Sequence, residues 1–332
     1  MPRYQSYGYY PLNQNLRVVA VSSTTFIPRL NYNLTGCCDY NGTALPGASG
    51  LPFMHVIARN NPDRILLSMN SGVNVPMGYY STNGGNTFTA IPATGSFVLG
   101  SAISDNGQFM AVAKTNVSSA LHYTYNGGTT WSSTPIVNNA TGSVCCSSDG
   151  SKVFIGPTNT VGAPTNVAYI STNSMATLTT LTLPSSGWYG ACMTANGSRI
   201  WISRFNNNIA PKTVSYSDNN GGTWTSVTVD AAAISTGVGI KCSANGQHLI
   251  MGHTNADVYI SNNFGATWTK KTMSENVYWI GVNISSSGQY MVVPSTVTNG
   301  RFFYSEDYGA TWRPKTMNAS TTQFRGICIE EL

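Results

Sequence analysis

Charge is what this chain has least of. Asp, Glu, Lys and Arg make up 9% of its 332 residues, against roughly a quarter in an average soluble protein. Charged residues cover the exposed faces of helices, so an architecture of long surface helices is not expected. Ser, Thr, Asn and Gly stand in their place, with 18 Tyr and 7 Trp. The chain is not short of a core, because 41% apolar residues are spread evenly along it, and that excludes wholesale disorder. β-Branched and aromatic residues abound, and composition alone points to an all-β protein.

Other absences exclude whole classes of function. The net charge of +5 has no concentrated stripe. Its densest basic run is Lys270-Lys271, with a related pair at Arg313 and Lys315, so no nucleic-acid partner is expected. No apolar run approaches about 18 residues, so no membrane-spanning helix is expected. The opening segment MPRYQSYGYYPLNQ contains no apolar h-region and reads as no secretory signal, which places synthesis in the cytoplasm. The seven cysteines are odd in number and form no CxxC, and the adjacent pairs Cys37-Cys38 and Cys145-Cys146 are poorly placed to bridge themselves. They read as reduced, small, buried hydrophobes. Neither a metal nor a cofactor is expected.

What is present is a repeat. A short phrase begins at Ser81 (STNGGNTF), Thr124 (TYNGGTTW), Ser171 (STNSMATL), Ser217 (SDNNGGTW), Ser261 (SNNFGATW) and Ser305 (SEDYGATW), at intervals of 43, 47, 46, 44 and 44 residues. A second signal keeps the same beat, a turn followed by a strand: SDNGQFMAVA at Ser104, SSDGSKVFIG at Ser147, TANGSRIWIS at Thr194, SANGQHLIMG at Ser243 and SSSGQYMVVP at Ser285. Each unit therefore reads strand, Gly turn, strand, loop, strand, hairpin phrase, strand. Four short strands recurring every 40 to 50 residues are the pattern of a β-propeller blade.

The ends complete the pattern. QFRGICIEEL at the C-terminus matches the first strand of a unit, while NQNLRVVAVS at Asn13 and CDYNGTAL at Cys38 match its remainder. The expectation is a single domain over 1–332, with six complete blades over 53–322. Residues 1–52 and 323–332 share a seventh blade whose pairing removes the open sheet edges. Six blades with an unrelated N-terminal arm is the alternative.

The phrase Ser-x-Asp/Asn-x-Gly-x-Thr-Trp/Phe is the Asp-box, and on it the chain resembles the Asp-box, or BNR-repeat, propellers. These include sialidases, sortilin-type receptors and photosystem assembly factors. The resemblance implies a scaffold role on outer hairpins. Asn83, Asn126, Asn173, Asn219, Asn263 and Asp307 would accept hydrogen bonds from their own hairpins. Phe88, Trp131, Trp224, Trp268 and Trp312 would wedge between blades. The third box departs from the pattern, with Met175 for Gly and Leu178 for Trp. A calcium loop would need several carboxylates, and the boxes supply almost none.

No catalytic constellation emerges. The inner-strand positions that would line a central channel are Ala58, Ala102, Cys145, Cys192, Lys241, Asn283 and Cys328, a nearly neutral set. Glycoside hydrolysis needs positioned carboxylates, but Asp63, Asp105, Asp149 and Asp307 fall in turns. The resemblance to sialidases would imply an Arg-Ile-Pro motif, and FIPRL at Phe26 reverses it. The four histidines, His55, His122, His248 and His253, do not cluster.

The expected function is accordingly non-catalytic: an interaction or structural propeller with protein partners or self-assembly, within a virion, phage tail or cell-surface structure. The alternative is a carbohydrate-binding propeller using Trp188, Trp279 and Phe324 as stacking faces beside Arg59, Arg325 and Lys241. A sialidase-like hydrolase ranks third.

Overall fold

The computed structural model describes residues 16–21, 25–31, 43–44, 51–58, 60–70, 76–93, 98–114, 120–136, 142–157, 166–204, 212–231, 239–253, 256–277, 281–295, 301–316 and 326–331. All described regular structure is β-strand, and every strand pairs antiparallel with its neighbours. Six blades of four strands follow one another along the chain, over residues 51–90, 98–135, 143–182, 188–230, 240–272 and 283–316. We number them 1 to 6. A further four-stranded sheet draws on both ends of the chain. In it Gly326–Glu331 pairs with Leu16–Val21, which pairs with Thr25–Asn31 and then Thr43–Ala44. Strand Gly326–Glu331 also lies against Asn283–Ile284 of blade 6 and Leu51–Ala58 of blade 1.

The second strands show why the blades stack. Met110–Ala113, Val153–Gly156, Leu249–Gly252 and Met291–Pro294 are buried at every residue. Strands covered on both faces read as continuous apolar runs rather than alternations. Their partners are neighbouring blades. Leu66, Met77 and Ile91 of blade 1 pack with Met110 and Val112 of blade 2, with Trp131 against them. Phe154, Ala168 and Ile170 of blade 3 likewise meet Ala191, Met193 and Ile202 of blade 4. The core is thus a series of seams between blades.

In blades 2 to 6 two polar turns are built on a Ser or Thr hydroxyl that accepts a backbone amide, while among the described residues of blade 1 only the box hairpin is built so. In the box hairpin of blade 5, the Ser261 hydroxyl accepts the Gly265 amide at 2.9 Å, and Asn263 Oδ1 accepts the Thr267 amide at 2.9 Å. Asn263 Nδ2 then donates to Thr267 Oγ1 at 2.8 Å. Asp307 makes the same hairpin with the last bond reversed, its carboxylate accepting from Thr311 Oγ1 at 2.6 Å. The third box keeps the arrangement despite its altered sequence: the Met175 amide donates to Ser171 Oγ at 2.9 Å, and Met175 itself is buried with blade 2. In the turn between first and second strands, a Ser or Thr hydroxyl accepts the amide five residues on, as Ser104 does from Phe109 at 2.9 Å.

Those turns also join the blades. The Asn60 amide donates to the Asp105 carbonyl at 2.7 Å, Asp105 to Ser148 at 2.8 Å, Ser148 to Ala195 at 2.7 Å, Ala195 to Ala244 at 2.8 Å and Ala244 to Ser286 at 2.9 Å. This belt of backbone hydrogen bonds runs from blade to blade across all six. Side chains add clamps on the same end of the ring: Arg64 Nη1 donates to the Gly127 carbonyl at 3.0 Å, Tyr80 Oη to Gly128 at 2.9 Å and Tyr125 Oη to Gly150 at 3.0 Å.

Candidate functional site

Three regions hold chemistry that the scaffold does not consume. The first is the inner wall. Cys145, Cys192 and Cys242 lie on the first strands of blades 3, 4 and 5 outside any disulfide, and Cys242 Sγ donates to the Met193 carbonyl at 3.3 Å. Burial pushes the Cys145 and Cys192 thiols well up, and the neighbouring thiols add to the rise while Lys241 opposes it only in part. A protonated thiol is a poor nucleophile and a poor metal ligand. Among the described residues no group of three His, Cys, Asp or Glu is placed to hold a metal ion.

The second region is the seam between blades 4 and 5, at the end of the third strands opposite the box hairpins. Lys212 opens strand Lys212–Ser217 and is 0% exposed. Its amine sits 4.5 Å from the centroid of the Tyr259 ring on the third strand of blade 5. Nζ has no hydrogen-bond partner among the described residues. Asp230 stands opposite Lys212 in register and accepts from Tyr259 Oη at 2.8 Å. Asp257 is engaged with Lys270 Nζ at 2.9 Å and Thr272 Oγ1 at 2.7 Å. The His253 ring meets Tyr259 edge-on at 6.3 Å. Burial brings the Lys212 amine down to about 7, with Asp230 and Asp257 restoring only part of the loss and Lys270 adding to it. Burial also raises Tyr259, and its bond to Asp230 raises it further. Burial pushes the Asp257 carboxyl up, but the bonds from Lys270 and Thr272 outweigh that and hold it below the usual carboxylate range. The next seam is conventional by comparison: Arg301 pairs directly with Glu275, which also accepts from Ser295 Oγ at 2.9 Å.

The third region is on the box hairpins of blades 5 and 6. The fourth box position takes a left-handed backbone around the ring, with Gly84 at φ 70°, Gly127 at 65°, Ser174 at 56° and Asn220 at 57°. In blades 5 and 6 the same position holds Phe264 at φ 60° and Tyr308 at 59°. A bulky residue there costs roughly 1–2 kcal/mol. Burial is incomplete, since Phe264 is 45% and Tyr308 39% exposed, and they are the only exposed large hydrophobics among the described residues. The two hairpins are tied together: Asn262 Nδ2 donates to the Tyr308 carbonyl at 3.3 Å, and Asn262 Oδ1 meets His248 Nδ1 at 2.8 Å. The His248 ring stacks on Tyr308 at 4.6 Å. Trp201 Nε1 donates to the Phe264 carbonyl from blade 4 at 3.4 Å.

Of the residues expected to bind a ligand, Trp188 is corrected by its surroundings. It is 2% exposed, packs in the seam between blades 3 and 4, and donates its indole N–H to the Ser185 carbonyl at 2.7 Å. It presents no stacking face. Lys241 lies half-buried on the inner strand of blade 5. Arg59, Trp279, Phe324 and Arg325 lie outside the described residues, as does the side chain of Cys328. Of the inner-wall set, Ala58 and Ala102 are buried, while Cys145 and Asn283 are half-buried. Trp268 and Trp312 donate to their own hairpin carbonyls at Gly265 and Gly309, each at 3.1 Å, and pack against seam clusters. Trp131 and Trp224 pack likewise, and Phe88 is buried. Sequence reasoning missed Lys212, Phe264 and Tyr308. The last two carry a visible signal, aromatics where aligned boxes have Gly, Ser or Asn.

No family model matches the chain, and no curated protein matches it in sequence. Solved structures match its fold. Hydrazine synthase from Kuenenia stuttgartiensis superposes with a TM-score of 0.60 at 12% identity, covering 79% of this chain and 80% of that one. YCF48 from Cyanidioschyzon merolae gives 0.55 at 14% identity, covering 83% and 88%. A chain of the nidogen–laminin complex gives 0.55 at 10% identity, covering 95% and 98%. At such identities the likeness carries the fold alone, and the class it defines is the β-propeller of four-stranded blades. No described helix is long and apolar enough to cross a membrane.

Proposed function

We propose that this chain is a non-catalytic interaction propeller of the Asp-box type, a rigid component of a larger assembly such as a virion, phage tail or cell-surface structure. In this reading the sheet built from both chain ends is the seventh blade and closes the ring. The observation that carries the reading is the belt of amide-to-carbonyl bonds from Asn60 through Ser286. The polar residues that recur around the ring serve the ring itself, bonding within hairpins or between blades. Such a repeat suits rigidity, and its binding function would lie in loops and rims. The protonated state of the buried thiols is consistent with a frame rather than a reactive centre. The fold neighbours are compatible with this role without assigning it, since one fold hosts many functions.

Light scattering across a concentration series tests the assembly. A large or fixed-stoichiometry native mass is expected. A monomer at every concentration would count against self-assembly and leave only assembly with other chains.

A further inference from the structure

We propose that Phe264 and Tyr308 form a binding platform for a neutral glycan on the box-bearing end of blades 5 and 6. The inference goes beyond the assembly role and stands or falls separately from it.

Two costs coincide at these residues. Each takes a backbone conformation that aligned blades assign to Gly, Ser or Asn, and each leaves a large ring in water. Tyr308 rests against the His248 ring, but Phe264 has no such ring partner among the described residues, and an outlier of that kind points to a function at that place. The platform is also held in place. Asn262 bridges His248 to the Tyr308 carbonyl, the His248 ring backs Tyr308, and Trp201 anchors the Phe264 backbone from the neighbouring blade.

The surroundings select the ligand. The blade 5 hairpin from Asn262 to Thr267 carries no charged side chain, and Asn262, Asn263 and Thr267 are exposed around Phe264. At the blade 6 hairpin Glu306 is engaged with Arg313, and the Asp307 carboxylate is engaged within its own turn. Two rings amid amides and hydroxyls are too small an apolar surface for a stable protein interface, which buries about 800 Å² per partner. They suit a sugar, whose C–H face stacks on an aromatic ring while its hydroxyls exchange hydrogen bonds with amides. The lack of net charge at the tip of blade 5 favours a neutral saccharide over an acidic one.

The test exploits the backbone. Asn already occupies this position at Asn220 with φ 57°, so Phe264→Asn and Tyr308→Asn remove the rings without demanding a new conformation. Wild type and double variant are titrated by calorimetry with cellohexaose, chitohexaose and mannohexaose, and with a heparin hexasaccharide as acidic comparator. Saturable binding of at least one neutral hexasaccharide is expected, weakened at least tenfold in the double variant, with F264N alone showing an unchanged or higher thermal midpoint. The proposal is overturned if no neutral hexasaccharide binds, if only heparin binds, or if the double variant binds like wild type. It is equally overturned if F264N alone loses binding only by unfolding, or if the substitutions alter native mass while sugar affinity stays unchanged, which would mark a protein contact. Native mass keeps the two readings apart: lost sugar binding at constant mass bears on the platform alone.

Discussion

The amine of Lys212 lies 4.5 Å from the centre of the Tyr259 ring, across the seam between blades 4 and 5. A cation over an aromatic face gains up to about 2 kcal/mol when desolvated. Removing the ammonium from water costs more than that unless hydrogen bonds compensate, and Nζ has none among the described residues. The seam therefore tolerates an amine that it does not stabilise.

Lys212→Met should consequently raise stability at pH 7, by on the order of 1–3 kcal/mol, since Met fills similar volume without charge. The benefit should shrink as pH rises. Lys212 titrates near 7 in the folded chain and in the ordinary lysine range when unfolded. Between those values the unfolded state binds the extra proton, so this group makes wild-type stability rise with pH by at most about 1.4 kcal/mol per unit. Buried thiols act oppositely above pH 9, where their raised values favour unfolding. The window to measure is pH 7 to 9, by urea denaturation of wild type and K212M in parallel. A constant difference across it would contradict the account.

Asp307→Asn should be close to neutral at pH 7, within about 0.5 kcal/mol, because Asn makes the same hairpin in the other five boxes. The two proteins should diverge in acid. Burial raises the Asp307 carboxyl, but bonds from Thr311 and Ser305 outweigh it and hold it below its ordinary value. Its stabilisation is therefore present above about pH 4 and lost as pH falls through the folded value. Thermal unfolding from pH 6 to 3 should show wild type losing more than D307N.

Gly150→Ala should destabilise strongly, by roughly 2–4 kcal/mol, combining overpacking with strain. The added Cβ would stand 2.5 Å from Phe109 Cβ, at φ +75°, against a fully buried ring of blade 2. Gly222→Ala is the control. Its nearest neighbour would be Asn219 at 3.3 Å with no positive φ, and a cost below about 1 kcal/mol is expected. Equal costs in calorimetry would show that the turn of blade 3 does not lock onto blade 2.

Trp188→Ala should cost about 3–5 kcal/mol, as truncation of a buried aromatic does. Chemical denaturation reads this directly. A near-neutral result would return Trp188 to the set of exposed ligand-binding faces.

Much of this architecture was legible because its signals are local. Ser261, Asn263 and Thr267 bond within seven residues, so the box shows itself in sequence wherever it recurs. The ordering of blades follows from the repeat interval. The Lys212 site was not legible, because its character depends on Tyr259 and Asp257 of another blade and on burial that no short window reveals. Trp188 was ambiguous for a related reason: an aromatic on an inner strand reads alike whether it faces a channel or a seam. Phe264 and Tyr308 could have been found by aligning the boxes, since Gly84 and Gly127 mark the position as left-handed.

Closure of the ring by its own two ends is the claim on which the rigid frame rests, and one cross-link tests it. Val19 pairs in register with Cys328 in the composite sheet. In a Val19→Cys variant treated with a short bis-maleimide, the account predicts an intramolecular link joining residues 19 and 328, identified by peptide mapping. A product in which residue 19 links only to other cysteines, or only between molecules, would contradict closure.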